Sequence, residues 1–418
     1  MTIEVTTLAT GLRVVTDPID TVETASLGVW VSVGARHERE VVNGVAHMLE
    51  HMAFKGTERR SAQAIAEEIE SVGGHLNACT SREYTIYFAR VLKADVPLAV
   101  DILADILQHS TFDPKELERE RAVVIQEIGQ AYDTPDDFIF DRFQETAYPG
   151  QPLGRPILGS ADRIGAMPRE VISGYMRENY SAPKMVLAAA GRVEHDAFVK
   201  LAQEAFPDLP RTGGNEGEPA RYRGGDTYEE RELEQVHLIL GFAGVPYADP
   251  DFYVLSVLSS LLGGGMSSRL FQEIREKRGL AYSIYSFTTP YVDGGLFGVY
   301  AGTGEREVEE LLSVMCDEIR NIGATVKEQE LARVRAQIKA GILMALESTS
   351  ARCERLGQQM LIYGRPLSVE EIVERVEAVD LEAIGRVADR LTASRPTFAA
   401  LGPIGRVKAM GVIEERFA

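Results

Sequence analysis

The sequence predicts two similar domains in which strands and helices interleave, of either the α+β or the α/β class. Three observations carry this prediction: 418 residues exceed one ordinary domain, a polar break lies near the middle, and a helical segment recurs in both halves. The break, residues 211–229, is rich in glycine and charged residues, which is typical of a linker. We therefore expect a first domain over residues 1–210 and a second over residues 230–418.

The recurring segment is Glu116–Ile128, which aligns without gaps to Glu330–Ile342 and agrees with it at six of thirteen positions. A weaker match pairs Ala66–Glu70 with Phe271–Arg275. Two amphipathic helices also resemble each other by chance, because Glu, Arg, Leu and Ala are favoured in both. The two nearly equal halves favour duplication over chance.

Periodicity assigns the individual elements. Alternation of apolar and polar residues predicts strands at 25–33, 85–91 and 296–300. A helical period predicts helices at 61–72, 95–108, 113–131, 251–262, 305–322 and 327–347. The helix at 113–131 begins with Asp113 as its N-cap, Pro114 in its first position and Glu116 completing a capping box.

Composition excludes several classes of protein. The chain has 44 Lys and Arg against 63 Asp and Glu, a net charge of −19, which argues against a nucleic-acid partner because phosphate binding needs cations. The same charge favours basic peptides as partners, although acidic surfaces also serve solubility. Three scattered cysteines form no CxxC pair, so neither a disulfide framework nor a thiolate metal site is expected. Without a leader or an 18-residue apolar run, we expect a cytoplasmic protein with no membrane partner.

The most informative segment is His-Met-Leu-Glu-His, with His47 and His51 at its ends and Glu50 beside them. On a helix, positions i and i+4 share a face, so the two imidazoles converge on one ion. Asn43 as N-cap and Gly56 beyond the last turn indicate a helix at this segment. The order H-x-x-E-H is that of the inverted zincins. The alternative is a solvated helix with two incidental histidines.

A catalytic zinc site usually takes three protein ligands, so a carboxylate is the expected third. The helix at 113–131 supplies Glu120 and Glu127, two turns apart on one face. Each is also compatible with an ordinary surface acid, and position alone does not choose between them.

These motifs resemble the pitrilysin family of metallopeptidases, in the branch of the mitochondrial processing peptidase β-subunit and its bacterial homologues. The resemblance covers both halves and is most specific in His47–Thr57, in Gly73–Glu83, and at Glu120 and Glu127. It implies an α+β fold of two homologous domains, each a mainly antiparallel sheet packed with helices. It also implies one Zn²⁺ per chain, held by His47, His51 and Glu127, with Glu120 behind them.

The resemblance implies roles for further residues. Glu50 becomes the general base, while Asn77 and Ala78, on an edge strand His75–Thr80, bind the peptide backbone. In the second domain Arg275 and Tyr282 grip the substrate. The alternative for Asn77 is a turn residue. The alternatives for the pair are a surface arginine at position 275 and a core-facing tyrosine at position 282.

The second domain is expected to hold no metal. Val334 and Gly341 align with Glu120 and Glu127. The weaker match places Phe252 and Ser256 opposite His47 and His51.

The resemblance therefore predicts a zinc-dependent endopeptidase that hydrolyses extended, unfolded peptides, basic or presequence-like ones among them, in processing or in scavenging. Two alternatives stay open: a non-catalytic assembly subunit on the same fold, and a metallohydrolase of small molecules. Long single-chain members of the family carry four such domains. Because this chain has two, a homodimer is expected, with Arg275 and Tyr282 acting on the zinc site of the partner chain.

Overall fold

The structure is a computed structural model that describes residues 3–417. Its strands, in chain order, are β1 (Glu4–Thr7), β2 (Arg13–Pro18), β3 (Thr24–Val31), β4 (His75–Thr80), β5 (Thr85–Leu92), β6 (Met185–Gly191), β7 (Gly225–Glu230), β8 (Val236–Ala243), β9 (Ala281–Pro290), β10 (Gly295–Thr303) and β11 (Thr397–Gly402). They form two sheets, ordered β1-β2-β6-β3-β5-β4 and β7-β11-β8-β10-β9. Each sheet has one parallel pair, β2 with β6 and β7 with β11, and is otherwise antiparallel.

The α-helices, in chain order, are α1 (Val45–Ala53), α2 (Ala62–Ser71), α3 (Val96–Gln108), α4 (Pro114–Tyr132), α5 (Pro135–Ala147), α6 (Ala161–Ala166), α7 (Arg169–Asn179), α8 (His195–Ala205), α9 (Phe252–Gly263), α10 (Val308–Thr325), α11 (Glu328–Ala345), α12 (Thr349–Tyr363), α13 (Val369–Glu377), α14 (Leu381–Thr392) and α15 (Met410–Glu414). Among residues 3–417, no helix is long and apolar enough to cross a membrane. The six helices predicted from periodicity correspond to α2, α3, α4, α9, α10 and α11, with ends that differ by at most three residues.

The predicted duplication and the α+β class are confirmed. Strands β3, β4, β5 and β6 have the same order in their sheet as β8, β9, β10 and β11. The helices α4 and α11 carry the aligned repeat and make the same contact: Arg121 donates to the carbonyl of Met167, and Arg335 donates to that of Val379. Leu117 and its counterpart Leu331 are both buried.

The chain divides into two compact units, but not at one point. The first unit comprises residues 1–129, 155–218 and 344–367, and the second comprises 130–154, 219–343 and 368–418. The main boundary falls inside the predicted linker, although β7 already occupies its last residues. The continuous domains expected from the sequence, 1–210 and 230–418, are therefore corrected: each unit contains one segment from the other half.

The helices in those two segments explain the correction. α12 covers one face of the first sheet, with Cys353, Leu356 and Met360 packed against strand residues such as Trp30. The approach is so close that a Cβ on Gly357 would lie 2.1 Å from the Trp30 ring. In the second unit, α5 buries Ile139 and Phe143 in the same way. Because both faces of each sheet are covered, β6, β10 and β11 are buried along their whole length.

Candidate active site

Helix α1 presents His47, Glu50 and His51 on one face and buries the other. Met48, Leu49 and Met52 lie wholly inside the core of the first unit. The hydrophobic effect therefore fixes which way the helix is turned and leaves the three polar side chains partly accessible. His47 and His51 stack edge to face, with ring centroids 4.7 Å apart.

The start of α1 is capped by Glu38 rather than by Asn43, which corrects the sequence prediction. The buried Glu38 carboxylate accepts hydrogen bonds from the backbone N–H groups of Gly44 and Ala46 and from the side chain of Asn43, each 2.8 Å long. Gly44 is the N-cap and has φ +96°, a left-handed conformation that favours glycine. Burial raises the pKa of Glu38 to about 7, against the lowering effect of these hydrogen bonds. The helix ends at Ala53, three residues before Gly56.

Helix α4 supplies the carboxylates. Asp113 caps it as predicted, since its Oδ1 accepts from the N–H groups of Lys115 and Glu116. Leu117 and Val124 fix its inner face in the core of the first unit. Glu120 is buried between them, whereas Glu127, two turns further along, keeps 39% of its side-chain surface exposed.

The structure brings His47, His51 and Glu127 together. One ligand atom from each lies within 4.8 Å of the others, and no second such group of His, Cys, Asp or Glu occurs among residues 3–417. Glu127 Oε2 lies 3.7 Å from His47 Nε2 and 3.4 Å from His51 Nε2. Two imidazole nitrogens and one carboxylate oxygen are a donor set that suits Zn²⁺.

Glu120 occupies a different place from Glu127. Its Oε2 lies 3.0 Å from His51 Nδ1, the ring nitrogen that faces away from Glu127. A carboxylate there accepts a hydrogen bond from Nδ1–H and leaves Nε2 free to bind a metal, a common arrangement around ligating histidines. Its other oxygen, Oε1, lies 2.7 Å from Lys55 Nζ.

The surroundings tune the protonation of the remaining groups. Burial, and next to it the neighbouring His51, lowers the pKa of His47 to about 4, so this ring is neutral and able to ligate. Burial raises the pKa of Glu50, while hydrogen bonds from Thr80 lower it. His47 Nδ1 and Glu50 Oε2 are buried and have no hydrogen-bond partner within the described part of the chain.

Strand β4 lies at the edge of the first sheet and ends beside α1. Thr80, its last residue, donates to the Ala46 carbonyl over 3.5 Å, and its polar groups lower the pKa of Glu50. Asn77 is exposed on this strand, and its Oδ1 accepts from the N–H of Ala78, which is buried. The strand therefore leads from Asn77 to the polar face of α1.

Arg275 and Tyr282 lie together in the second unit. Arg275 stands in a π-helical turn, Phe271–Glu276, and its Nη1 donates to the Tyr282 carbonyl over 2.8 Å. Its guanidinium lies 4.4 Å from the Tyr282 ring centroid and 4.7 Å from that of Phe271. Tyr282 is 75% exposed at the start of the edge strand β9, so it is not the core tyrosine that the pattern alone would favour.

The second unit has no counterpart of the cluster of His47, His51 and Glu127 among its described residues. Val334, aligned with Glu120, is buried in its core, and Gly341 aligns with Glu127. Ser256 donates its hydroxyl to the Phe252 carbonyl in the same helix. The absence of a metal from the second unit stays a prediction.

Comparison with known proteins identifies the family. Residues 13–161 match the profile described as Insulinase (Peptidase family M16), and residues 166–338 match that described as Peptidase M16 inactive domain. The chain is 38% identical over 416 residues to an uncharacterized zinc protease of Streptomyces coelicolor, covering 96% of this chain and 90% of the relative. The chain belongs to peptidase family M16. The family assignment also makes it a zinc-dependent peptidase, with Zn²⁺ as its cofactor.

Other M16 relatives agree. An uncharacterized zinc protease of Bacillus subtilis is 37% identical, covering 96% of this chain and 98% of its own. A probable mitochondrial-processing peptidase subunit beta of Arabidopsis thaliana is 38% identical, covering 96% and 78%, which confirms the branch inferred from the motifs. A crystal structure described as a peptidase M16 inactive domain from Pseudomonas fluorescens has the same fold, with a TM-score of 0.90 at 22% identity over 98% of this chain and 100% of that one.

Three residues near the M16 site were missed by sequence reasoning: Glu38, Lys55 and Thr80. Thr80 is the last residue of the recognised motif His75–Thr80, so its contact with α1 had a sequence signal. Lys55 stands four residues after His51, the spacing of helical neighbours, but α1 ends before it. Nothing local in the sequence indicates that Glu38 reaches the start of α1.

Proposed function

We propose that this chain is an endopeptidase that hydrolyses extended, unfolded peptides, with Zn²⁺ held by His47, His51 and Glu127 and with Glu50 as the general base. The observation that carries the proposal is the convergence of two imidazole nitrogens and one carboxylate oxygen within 4.8 Å, beside a buried carboxylate. Bound Zn²⁺ supplies a Lewis acid for the scissile carbonyl and makes a water molecule more acidic.

The protein groups move the proton. Glu50 Oε2 takes a proton from the attacking water and returns it to the leaving nitrogen as the carbon–nitrogen bond breaks. Thr80, at the end of β4, lowers the pKa of Glu50 and so favours the ionised carboxylate that a base requires. Glu120 keeps the His51 Nδ1 proton in place, which fixes the tautomer whose Nε2 is free.

The edge strand β4 supports capture of an extended peptide by strand addition. Within the described chain it pairs with β5 alone, so its outer edge is open to an added strand. Main-chain pairing makes few demands on side chains, and Asn77 and Ala78 lie on this strand. Because β4 ends at Thr80 beside Glu50, a peptide paired along it is led to the base. The net charge of −19 favours basic peptides among the substrates.

Flexible peptides of tens of residues are therefore expected to be cut, and stably folded proteins to survive. A strand already paired inside a folded sheet cannot pair with β4 as well. The experiment incubates one small disulfide-bonded protein with the enzyme in its native form and in its reduced, alkylated form, and identifies products by mass spectrometry.

The alkylated form should be cut at several sites and the native form should remain intact. Matched peptides with Lys or Gln flanking the same cleaved bond test the charge preference, which should weaken as salt is raised. Cleavage of the native protein at sites within its core, at the rate seen for the alkylated form, would contradict capture by strand addition.

We further propose that the active assembly is a two-fold homodimer, in which Arg275 and Tyr282 act on a peptide bound at the partner's β4. In the second unit Tyr282 is exposed and Arg275 is partly exposed, and the cluster of His47, His51 and Glu127 belongs to the first unit. A two-fold interface gives two such composite sites, because each chain presents the same surfaces to the other.

Complementation between two inactive chains tests this assembly. A Glu50→Gln chain and a Tyr282→Phe chain, each nearly inactive alone, should recover about a quarter of wild-type activity when they exchange subunits at random, since one site in each mixed dimer has both wild-type residues. Exchange is followed with two fluorescent labels. No recovery despite complete exchange would show that the pair does not act across the dimer, and a fully active monomer would exclude the dimer.

A further inference from the structure

Lys55 is a cation that contacts the cluster of His47, His51 and Glu127 in the first unit through Glu120. Its Nζ lies 2.7 Å from Glu120 Oε1, while the other Glu120 oxygen lies 3.0 Å from His51 Nδ1. A continuous path therefore runs from the ammonium group through one carboxylate to the back of His51. The side chain of Glu120 is 7% exposed to solvent, and that of Lys55 is 30% exposed.

The backbone on both sides of Lys55 is anchored, so the ammonium group is delivered to a defined place. Its N–H donates to the Met52 carbonyl at the end of α1. The next residue, Gly56, accepts hydrogen bonds from the backbone and side chain of Thr111. Thr57 donates its hydroxyl to the buried Asp105 over 2.8 Å. Because the backbone is already fixed, the Lys55 side chain loses little further conformational entropy when it binds Glu120.

We propose that Lys55 is a positioning residue, which acts through Glu120 to hold His51 in the orientation that ligates zinc. The inference rests on the proposed ligand role of His51. Glu120 sits between Leu117 and Val124 in the core, where an unpaired carboxylate is costly. Without the ammonium group, Glu120 is driven to turn toward water, and its hydrogen bond with His51 Nδ1 weakens.

A purely electrostatic role for Lys55 predicts a change in zinc affinity opposite to the one that a positioning role predicts. Lys55 is a positive charge near the place that Zn²⁺ takes, so its removal alone would reduce repulsion and raise zinc affinity. A positioning role predicts that removal lowers zinc affinity, because groups behind metal ligands typically contribute about 10- to 100-fold in affinity. The direction of the change therefore separates the two roles.

The experiment measures zinc affinity by competition with a chelating dye for the wild type, Lys55→Met and Lys55→Arg. Methionine keeps the length and apolar stem of lysine without the charge, and we expect it to lower zinc affinity by about 10-fold or more. Arginine can bind the same carboxylate and should stay close to the wild type. Lys184→Met is the matched control, because Lys184 is 24% exposed and pairs with Glu216 over 2.6 Å elsewhere in the first unit.

Further variants make every outcome decisive. In a Glu120→Gln background, Lys55→Met should no longer lower zinc affinity, because the group through which it acts is altered. An equal loss of zinc affinity in both backgrounds, or an unchanged or raised zinc affinity in Lys55→Met, would overturn the proposal.

Thermal melts of the zinc-free variants test for loss of folding. If Lys55→Met melts at a lower temperature than the wild type, Lys55→Gln is measured in its place. If Glu127→Gln binds zinc as tightly as the wild type, the assignment of the zinc ligands itself fails. If Glu127→Gln loses zinc affinity but Lys55→Met keeps that of the wild type, only the role of Lys55 is refuted.

Discussion

Replacing Glu50 by glutamine is expected to lower turnover by about 10²- to 10⁴-fold, the range typical of general acid–base catalysis, while the zinc content stays at about one ion per chain. Glutamine has nearly the shape of glutamate but does not take up a proton. Because Glu50 lies beside the ligand cluster and is not part of it, its replacement removes the base and no ligand. Peptide cleavage and zinc content are measured on the same preparation.

Glu118→Gln is the matched control for this substitution. Glu118 lies on α4, is 71% exposed and pairs with Arg121, so its replacement should change neither activity nor zinc content. A Glu50→Gln chain that retained turnover, or one that lost its zinc, would show that Glu50 is not the base.

Replacing Glu127 by glutamine is expected to deplete the zinc and with it the activity. Its Oε2 is the only carboxylate oxygen in the described cluster, and a neutral amide is a much weaker ligand for Zn²⁺ than a carboxylate. Glu120→Gln should cost less, about 10- to 100-fold in zinc affinity, because Glu120 acts through His51. Equilibrium dialysis against a zinc buffer measures both affinities.

The order of the two losses is the informative result. Each substitution replaces the same kind of carboxylate on the same helix, so a general effect on α4 would lower zinc affinity equally in both. If Glu120→Gln lost more zinc than Glu127→Gln, the two roles would be exchanged.

Spacing in the sequence is enough to predict the face of α1 that carries the site. His47 and His51 stand one turn apart, and the apolar residues between them are buried as the helical period requires. Residue type and spacing did not choose between Glu120 and Glu127, since both lie on the same side of α4. Which of the two glutamates lies beside the histidines depends on the position of α4 along its axis relative to α1. The packing of Leu117 and Val124 in the core sets that position.

Groups that act from outside their own element could not be predicted. Asn43 has the residue type of a helix cap, and the actual cap, Glu38, comes from the preceding segment through a turn that local patterns do not encode. Lys55 lies beyond the end of α1, so its position depends on the anchoring of Gly56 and Thr57 by distant residues. Long-range contacts of this kind leave no period in the sequence.

The sequence likewise did not indicate that α5 belongs to the second unit and α12 to the first. An amphipathic pattern indicates that one face of a helix is buried, but it does not say which sheet lies beneath that face. The repeat and the linker therefore predicted two domains correctly, while the boundary between them was wrong at these two helices.

The central claim is that His47, His51 and Glu127 together hold the zinc, and anomalous X-ray diffraction at the zinc edge tests it most directly. The account predicts one strong anomalous peak per chain, within about 2.0–2.2 Å of His47 Nε2, His51 Nε2 and one Glu127 oxygen, the usual zinc–ligand distances. A peak in the second unit, or one bound by Glu120 in place of Glu127, would contradict it.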